Sequence, residues 1–196
     1  MIIALVPATS MSTYTAFIAT ERIAHGSLAA VAERCKVRLD ADPHVTPTVY
    51  DDATGRVVDI DYRGTVHDVL ARLPVAEPPA RRGPGRPKLG VVAREVTLLP
   101  RHWEWLAAQP GGASVALRRL VEAASREGAP ADRVRAAREA VDRVMLTLAG
   151  DLPGYEEASR AFHRQDAARF TALTDAWPAD VRHYVRLLVS RAGDET

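Results

Sequence analysis

Between Pro74 and Pro87 the chain carries five prolines, at positions 74, 78, 79, 84 and 87, with glycines at 83 and 85. A proline has no backbone N–H and a fixed φ, so neither a helix interior nor a central strand can run through such a stretch. The 196 residues are thereby divided, and each side is long enough to bury a core of its own. The pattern predicts an α+β chain in four parts. A small ββαββα domain occupies 11–74, a basic Pro/Gly linker 75–93, a strand–helix–helix unit 94–128, and a C-terminal helical domain 129–196.

Local signals place the elements. Tyr14–Ile18 and Arg22–Ala24 are short β-favouring runs. Ser27 caps a helix with Leu28, Val31, Cys35 and Leu39 at helical spacing. A hairpin follows, with strands Thr46–Tyr50 and Val57–Tyr62 around Asp51-Asp52-Ala53-Thr54-Gly55, and Thr65 caps a helix whose Val66, Val69, Leu70 and Leu73 face inward. Beyond the linker, Arg94–Leu99 reads as a strand and Pro100 opens a helix to about Gln109. Pro110-Gly111-Gly112 breaks it, and Ser114 caps a second helix to about Glu127. Leu117, Leu120, Val121 and Ala124 form that helix's apolar stripe. From Ala131 a new helix lines up Val134, Ala137, Val141, Val144, Met145 and Leu148. Three shorter helices follow, over 155–163, 166–175 and 179–190, with Trp177-Pro178 as a stop between the last two.

Charge divides unevenly. Residues 11–74 carry 7 basic and 9 acidic side chains (−2), residues 75–127 carry 9 and 5 (+4), and residues 128–196 carry 10 and 11 (−1). Between Glu77 and Glu95 there is no acid, while Arg81, Arg82, Arg86, Lys88 and Arg94 all fall there. A basic island between acidic flanks points to a local polyanion contact. The single cysteine, Cys35, excludes an internal disulfide framework and a multi-cysteine zinc site, and is expected as a small buried residue in a reducing cytosol. No apolar run approaches the ~18 residues that span a membrane, and the apolar start Met1–Pro7 lacks a signal-peptide leader. Met11 is an alternative start to Met1. The expected location is the cytoplasm, in association with the nucleoid.

Gly85-Arg86-Pro87 with Lys88 and upstream Arg81-Arg82 resembles an AT-hook, the peptide that binds the minor groove of A·T-rich DNA. That groove is narrow, lacks an exocyclic amino group on its floor, and concentrates negative potential. A slim Gly-Arg-Pro backbone can enter, with the arginine along the floor and outer basic residues on phosphates. Pro84 stands where many such hooks carry a further basic residue. Residues 94–128, through Arg94-Glu95-Val96-Thr97-Leu98-Leu99-Pro100, Trp103, Leu106, the Gly-Gly-Ala-Ser turn and Val115–Val121, resemble the ribbon-helix-helix transcription factors. The resemblance implies that two chains pair their single strands into a ribbon in the major groove, above interlocked helices. It implies a homodimer on double-stranded DNA, with Arg94, Thr97 and Arg101 at the groove. Gly112 and Ser114 would then present helix N-terminal amides to a phosphate. Anchored on Pro100, Leu99 points inward, with Glu95 and Thr97. A one-residue shift turns Val96 and Leu98 inward instead. A bulge near Leu98-Leu99, keeping both Val96 and Leu99 in the core and exposing Thr97 and Arg94, is preferred. The order of parts also resembles a bacterial family of domains of unknown function, on Tyr50–Arg56, Arg82–Pro87, Leu99–Leu106 and Leu152–Ala158.

Other signals are weaker. Asp51, Asp52, Asp59 and Asp61 suggest a metal-dependent nuclease, but Asp51–Gly55 is a hairpin turn and Asp59 and Asp61 alternate with Val58 and Ile60 toward solvent. The six histidines show no pair at metal-ligand spacing. Trp103 and Trp105 cannot share a helix face, so one is expected in the core and the other at an interface or as a partial cover for the helix pair. No phosphate loop and no nucleophilic set stands out, so no catalytic residue, metal or cofactor is expected. The reading is a dimeric, A·T-biased DNA-binding protein acting in transcription regulation. The alternatives are a metal-dependent phosphoesterase or nuclease tethered to DNA, and a protein-interaction adaptor.

Overall fold

The computed structural model describes residues 12–74, 92 and 94–194. The described chain divides into two units, one built from residues 12–74 and 131–194, the other from the described residues between 92 and 130.

In the first unit, β1 (Tyr14–Ile18), β2 (Glu21–Gly26), β3 (Pro47–Asp51) and β4 (Val57–Val58) form an antiparallel sheet in the order β2-β1-β3-β4. The helices α1 (Leu28–Ala41) and α2 (Val66–Arg72) cover one face. Both begin where the sequence places a cap. The Ser27 hydroxyl accepts the Ala30 N–H, and Thr65 and Asp68 form a reciprocal capping box. Ala16, Val49, Val31, Ala32, Cys35, Ile60 and Val69 fill this layer, and burial pushes the Cys35 thiol above its ordinary value.

Side chains alternate along a strand, so Phe17 and Tyr50, next to Ala16 and Val49, point out of the opposite face. There they enter a second core with Val141, Val144 and Met145 of the long helix α4 (Gly112–Ala149). Also in this core are side chains of α5 (Tyr155–His163), α6 (Ala167–Thr174) and α7 (Ala179–Asp194). The N-terminal and C-terminal segments, expected as separate domains, therefore build one unit. A sheet with apolar residues on both faces needs a layer on each side, and residues 12–74 supply only one.

One further expectation is corrected here. The second hairpin strand stops at Val58, because from Asp59 the chain leaves the ladder and Ile60 turns into the α1/α2 layer. Asp61 is drawn into hydrogen bonds with Arg63 at 2.8 and 2.7 Å, which hold its carboxyl well below the usual carboxylate range.

In the second unit, α3 (Pro100–Ala107) opens at Pro100, and Gly111 and Gly112, at φ +85° and +74°, turn the chain into α4. The helix starts at Gly112, which puts Ser114 inside its first turn and not at the cap. It does not end near Glu127. It runs unbroken through Pro130, whose ring costs one hydrogen bond and crowds the preceding turn. The alanines, arginines and glutamates on either side are strong helix formers that carry the helix across this defect. Residues 94–99 form no strand, since no other described segment pairs with them.

Candidate functional site

Two places in the fold concentrate chemistry. The first is the expected nucleic-acid segment. Arg81, Arg82, Gly85, Arg86, Pro87 and Lys88 lie outside the described residues. Arg94 and Thr97 are exposed on the stretch that leads into α3, and Arg101 is exposed in that helix's first turn. The Gly112 N–H is already donated to the Gln109 carbonyl at 2.9 Å, which leaves Ala113, Ser114 and Val115 as the first-turn amides of α4. The neighbouring apolar side chains are the notable feature. Trp103 and Trp105 are both exposed, so neither is the core residue expected of the pair, and Leu106 fills that place. Leu120 and Val121, on the stripe expected to be buried, are 47% and 64% exposed.

The second place was not singled out in the sequence. Asp52 is 5% exposed, in the turn between β3 and β4, on the sheet face that carries Tyr50. Its Oδ1 accepts the Thr15 hydroxyl at 2.8 Å and the Tyr184 hydroxyl at 2.9 Å. Its Oδ2 is buried without a hydrogen-bond partner and faces His25 Nδ1 at 3.4 Å, and the same nitrogen lies 3.0 Å from Thr15 Oγ1. Four segments thus converge: β1 supplies Thr15, β2 its ladder partner His25, the hairpin Asp52, and α7 Tyr184. Aromatic rings surround them, with Tyr184 5.4 Å from Phe17 and 6.2 Å from Tyr50 between centroids. Burial, and next the Asp52 charge, push the Tyr184 phenol far above its ordinary value, so it is a donor at any neutral pH. Thr15 gives its one proton to Asp52 and is 1% exposed, so it holds the carboxylate and is not placed to attack a substrate. The His25 side chain is 46% exposed and is the cluster's opening to solvent.

Two signals for this cluster were present in the sequence. One acid suffices for the turn: Asp51 accepts the Ala53 and Thr54 amides at 2.8 and 3.2 Å, which leaves Asp52 surplus. A threonine on the same strand face as Phe17 is the second. The carboxylates weighed as a metal site are dispersed, with Asp51 in the turn, Asp59 exposed and Asp61 paired with Arg63 and Arg72. Among the described residues no group of three or more histidine, cysteine or acidic side chains is arranged to hold a metal, and no helix is long and apolar enough to cross a membrane.

Fold and site together define an α+β protein whose sheet is closed by a helical layer through a buried Asp–Thr–Tyr cluster that His25 opens to solvent, with a sequence that is basic in its middle. The chain belongs to the family described as uncharacterized protein conserved in bacteria (DUF2239), whose model matches residues 13–189. No curated protein and no solved structure matches it.

Proposed function

We propose that this is a dimeric DNA-binding protein with an A·T-biased arm, acting in transcription regulation. In this reading the segment 94–128 is its dimerisation and major-groove unit, in the manner of a ribbon-helix-helix protein. The observation that carries the proposal is unburied apolar surface. Of the eleven large apolar side chains exposed among the described residues, eight lie between Val92 and Val121. Scattered single apolar residues on a surface need no explanation, but a concentration of this kind marks an interaction face. A second copy is the occupant that fits best. Residues 94–99 have no ladder partner among the described residues, and antiparallel pairing with the same segment of another chain would satisfy their backbone groups. The basic arm supports nucleic acid as the ligand. Arg81, Arg82, Arg86 and Lys88 stand five residues or more ahead of Arg94 with no acid between, and Leu89–Ala93 can extend over roughly 17 Å, enough to cross one phosphate backbone into the next groove.

The test is solution mass by sedimentation equilibrium at micromolar concentration, with Leu120→Asp as the variant. Leu120 is half exposed in the single chain, so in a monomer the change should be close to neutral. In a dimer it buries an unpaired charge. The expected results are a dimer for the wild type and a monomer or aggregate for the variant. A wild-type monomer whose mass does not change on adding duplex DNA overturns the reading.

A further inference from the structure

Within the first unit, a cavity of about 400 Å³ opens between α5, the start of α6, the end of α7 and the α4 turn that carries Arg138. It is unrelated to the buried Asp52 cluster, and its volume lies toward the lower end of the roughly 300–1,000 Å³ usual for small-molecule sites. Phe162 and Phe170, tilted against each other with centroids 6.2 Å apart, and Val189 make its walls apolar. The corner between α5 and α6 is fixed in advance. Gln165 sits at φ +59°, a conformation that costs a non-glycine residue energy, and its N–H is donated to the Phe162 carbonyl at 2.9 Å. The Asp166 N–H is donated to Ala161 at 2.9 Å. A preformed apolar cavity binds without an ordering cost.

The rim sets the polarity of what can enter. Along α4, Arg126, Arg135 and Arg143 each hold an acid within one helical turn, Glu122, Asp132 and Glu139. Arg138 has no such partner among the described residues: Asp142, the acid one turn further on, is 3.1 Å from His163. The acid on the rim, Asp166, is committed as well. Its Oδ1 accepts the Arg169 N–H at 2.9 Å, and its charge faces the positive end of α6. Among the described residues, the cavity therefore presents one guanidinium without an acidic partner beside a wall of aromatic and aliphatic carbon.

We propose that this cavity binds a small amphipathic carboxylate, such as a medium-chain or arylalkyl acid, with Arg138 on the carboxylate and Phe162, Phe170 and Val189 around the apolar body. A planar guanidinium offers two parallel N–H donors that match a carboxylate. The inference is independent of DNA binding. It is tested on the full chain by calorimetric titration with octanoate, using 1-octanol as the uncharged probe of the same length. Octanoate should bind saturably, and more tightly than octanol by about tenfold or more. Arg138→Gln should remove that difference while leaving octanol binding as it was, and Ser190→Trp, which fills the cavity from its rim, should block both. Equal affinity for the two probes, or octanoate affinity unchanged in Arg138→Gln, would overturn the proposal. So would binding that weakens as protein concentration rises, the sign that a second copy occupies the groove.

Discussion

Replacing Tyr184 with Phe removes a single oxygen atom and tests how the C-terminal helices are held to the sheet. The hydroxyl donates to Asp52 Oδ1 at 2.9 Å, both residues are buried, and they are 132 positions apart. A hydrogen bond to a charged group contributes about 1.5–3 kcal/mol, and the Thr15 hydroxyl at 2.8 Å remains to hold the carboxylate. Tyr184→Phe should therefore cost about 1.5–3 kcal/mol of unfolding free energy. Asp52→Ala should cost more, about 3–5 kcal/mol, because it strands the Tyr184 hydroxyl in a site 1% exposed and leaves Thr15 only His25 to pair with. The double variant should cost less than the sum, by a coupling of about 1–2 kcal/mol, since the same bond is lost in both single variants. Urea unfolding followed by far-ultraviolet circular dichroism measures all four corners of the cycle. An additive double variant, or a Tyr184→Phe protein as stable as wild type, would refute the assignment of this bond as a tie between the two layers.

Two further expectations concern a glycine turn and the buried phenols. Gly55 is at φ +65°, and a Cβ there would stand 2.2 Å from the Ala140 carbonyl oxygen. Gly55→Ala should cost about 2–5 kcal/mol, the sum of roughly 1–2 for left-handed backbone and roughly 1–3 for overpacking. Gly112→Ala, at φ +74° in open space, carries only the backbone part, and equal losses in urea unfolding would contradict this. Burial raises the phenols of Tyr62 and Tyr184 above their ordinary value of 10.0, so the folded state keeps protons that the unfolded state releases. The stability this gives is complete below about pH 10 and is lost as pH rises beyond it. Phenolate absorbance at alkaline pH should show these two tyrosines ionising only with unfolding, and their ionisation in the folded protein would count against their burial.

Most elements of the first unit are legible in the sequence because local chemistry fixes them. Ser27 and Thr65 start helices, Gly55 permits its turn, Trp177-Pro178 separates α6 from α7, and Val31 and Cys35 sit one helical turn apart. The sheet's second face is harder to read, because its cover comes from residues beyond 130, far along the chain. The signal is nonetheless present in Ala16-Phe17 and Val49-Tyr50, adjacent apolar pairs that point to opposite faces. Asp52 reads locally as a turn residue, since local spacing cannot show a partner 132 positions away. Pro130 reads locally as a break, and the helix formers around it outweigh that. The segment 94–99 carries a strand pattern, but among the described residues of the single chain it pairs with no strand.

The central claim is that the basic arm and the segment after it hold DNA, and affinity for a duplex as a function of salt tests it most directly. Each phosphate neutralised releases counterions, so the logarithm of affinity should fall linearly with the logarithm of salt at a slope near −0.9 per contact. With two arms carrying Arg81, Arg82, Arg86, Lys88 and Arg94, about six contacts or more are expected, a slope near −5 or steeper. The measurement is made on matched A·T-rich and G·C-rich duplexes, with wild type and Arg86→Ala. The account predicts a steep slope on both, tighter wild-type binding to the A·T-rich duplex, and a loss of roughly 1–3 kcal/mol in Arg86→Ala that falls mainly on that duplex. A flat salt response, or no binding at low salt, contradicts it.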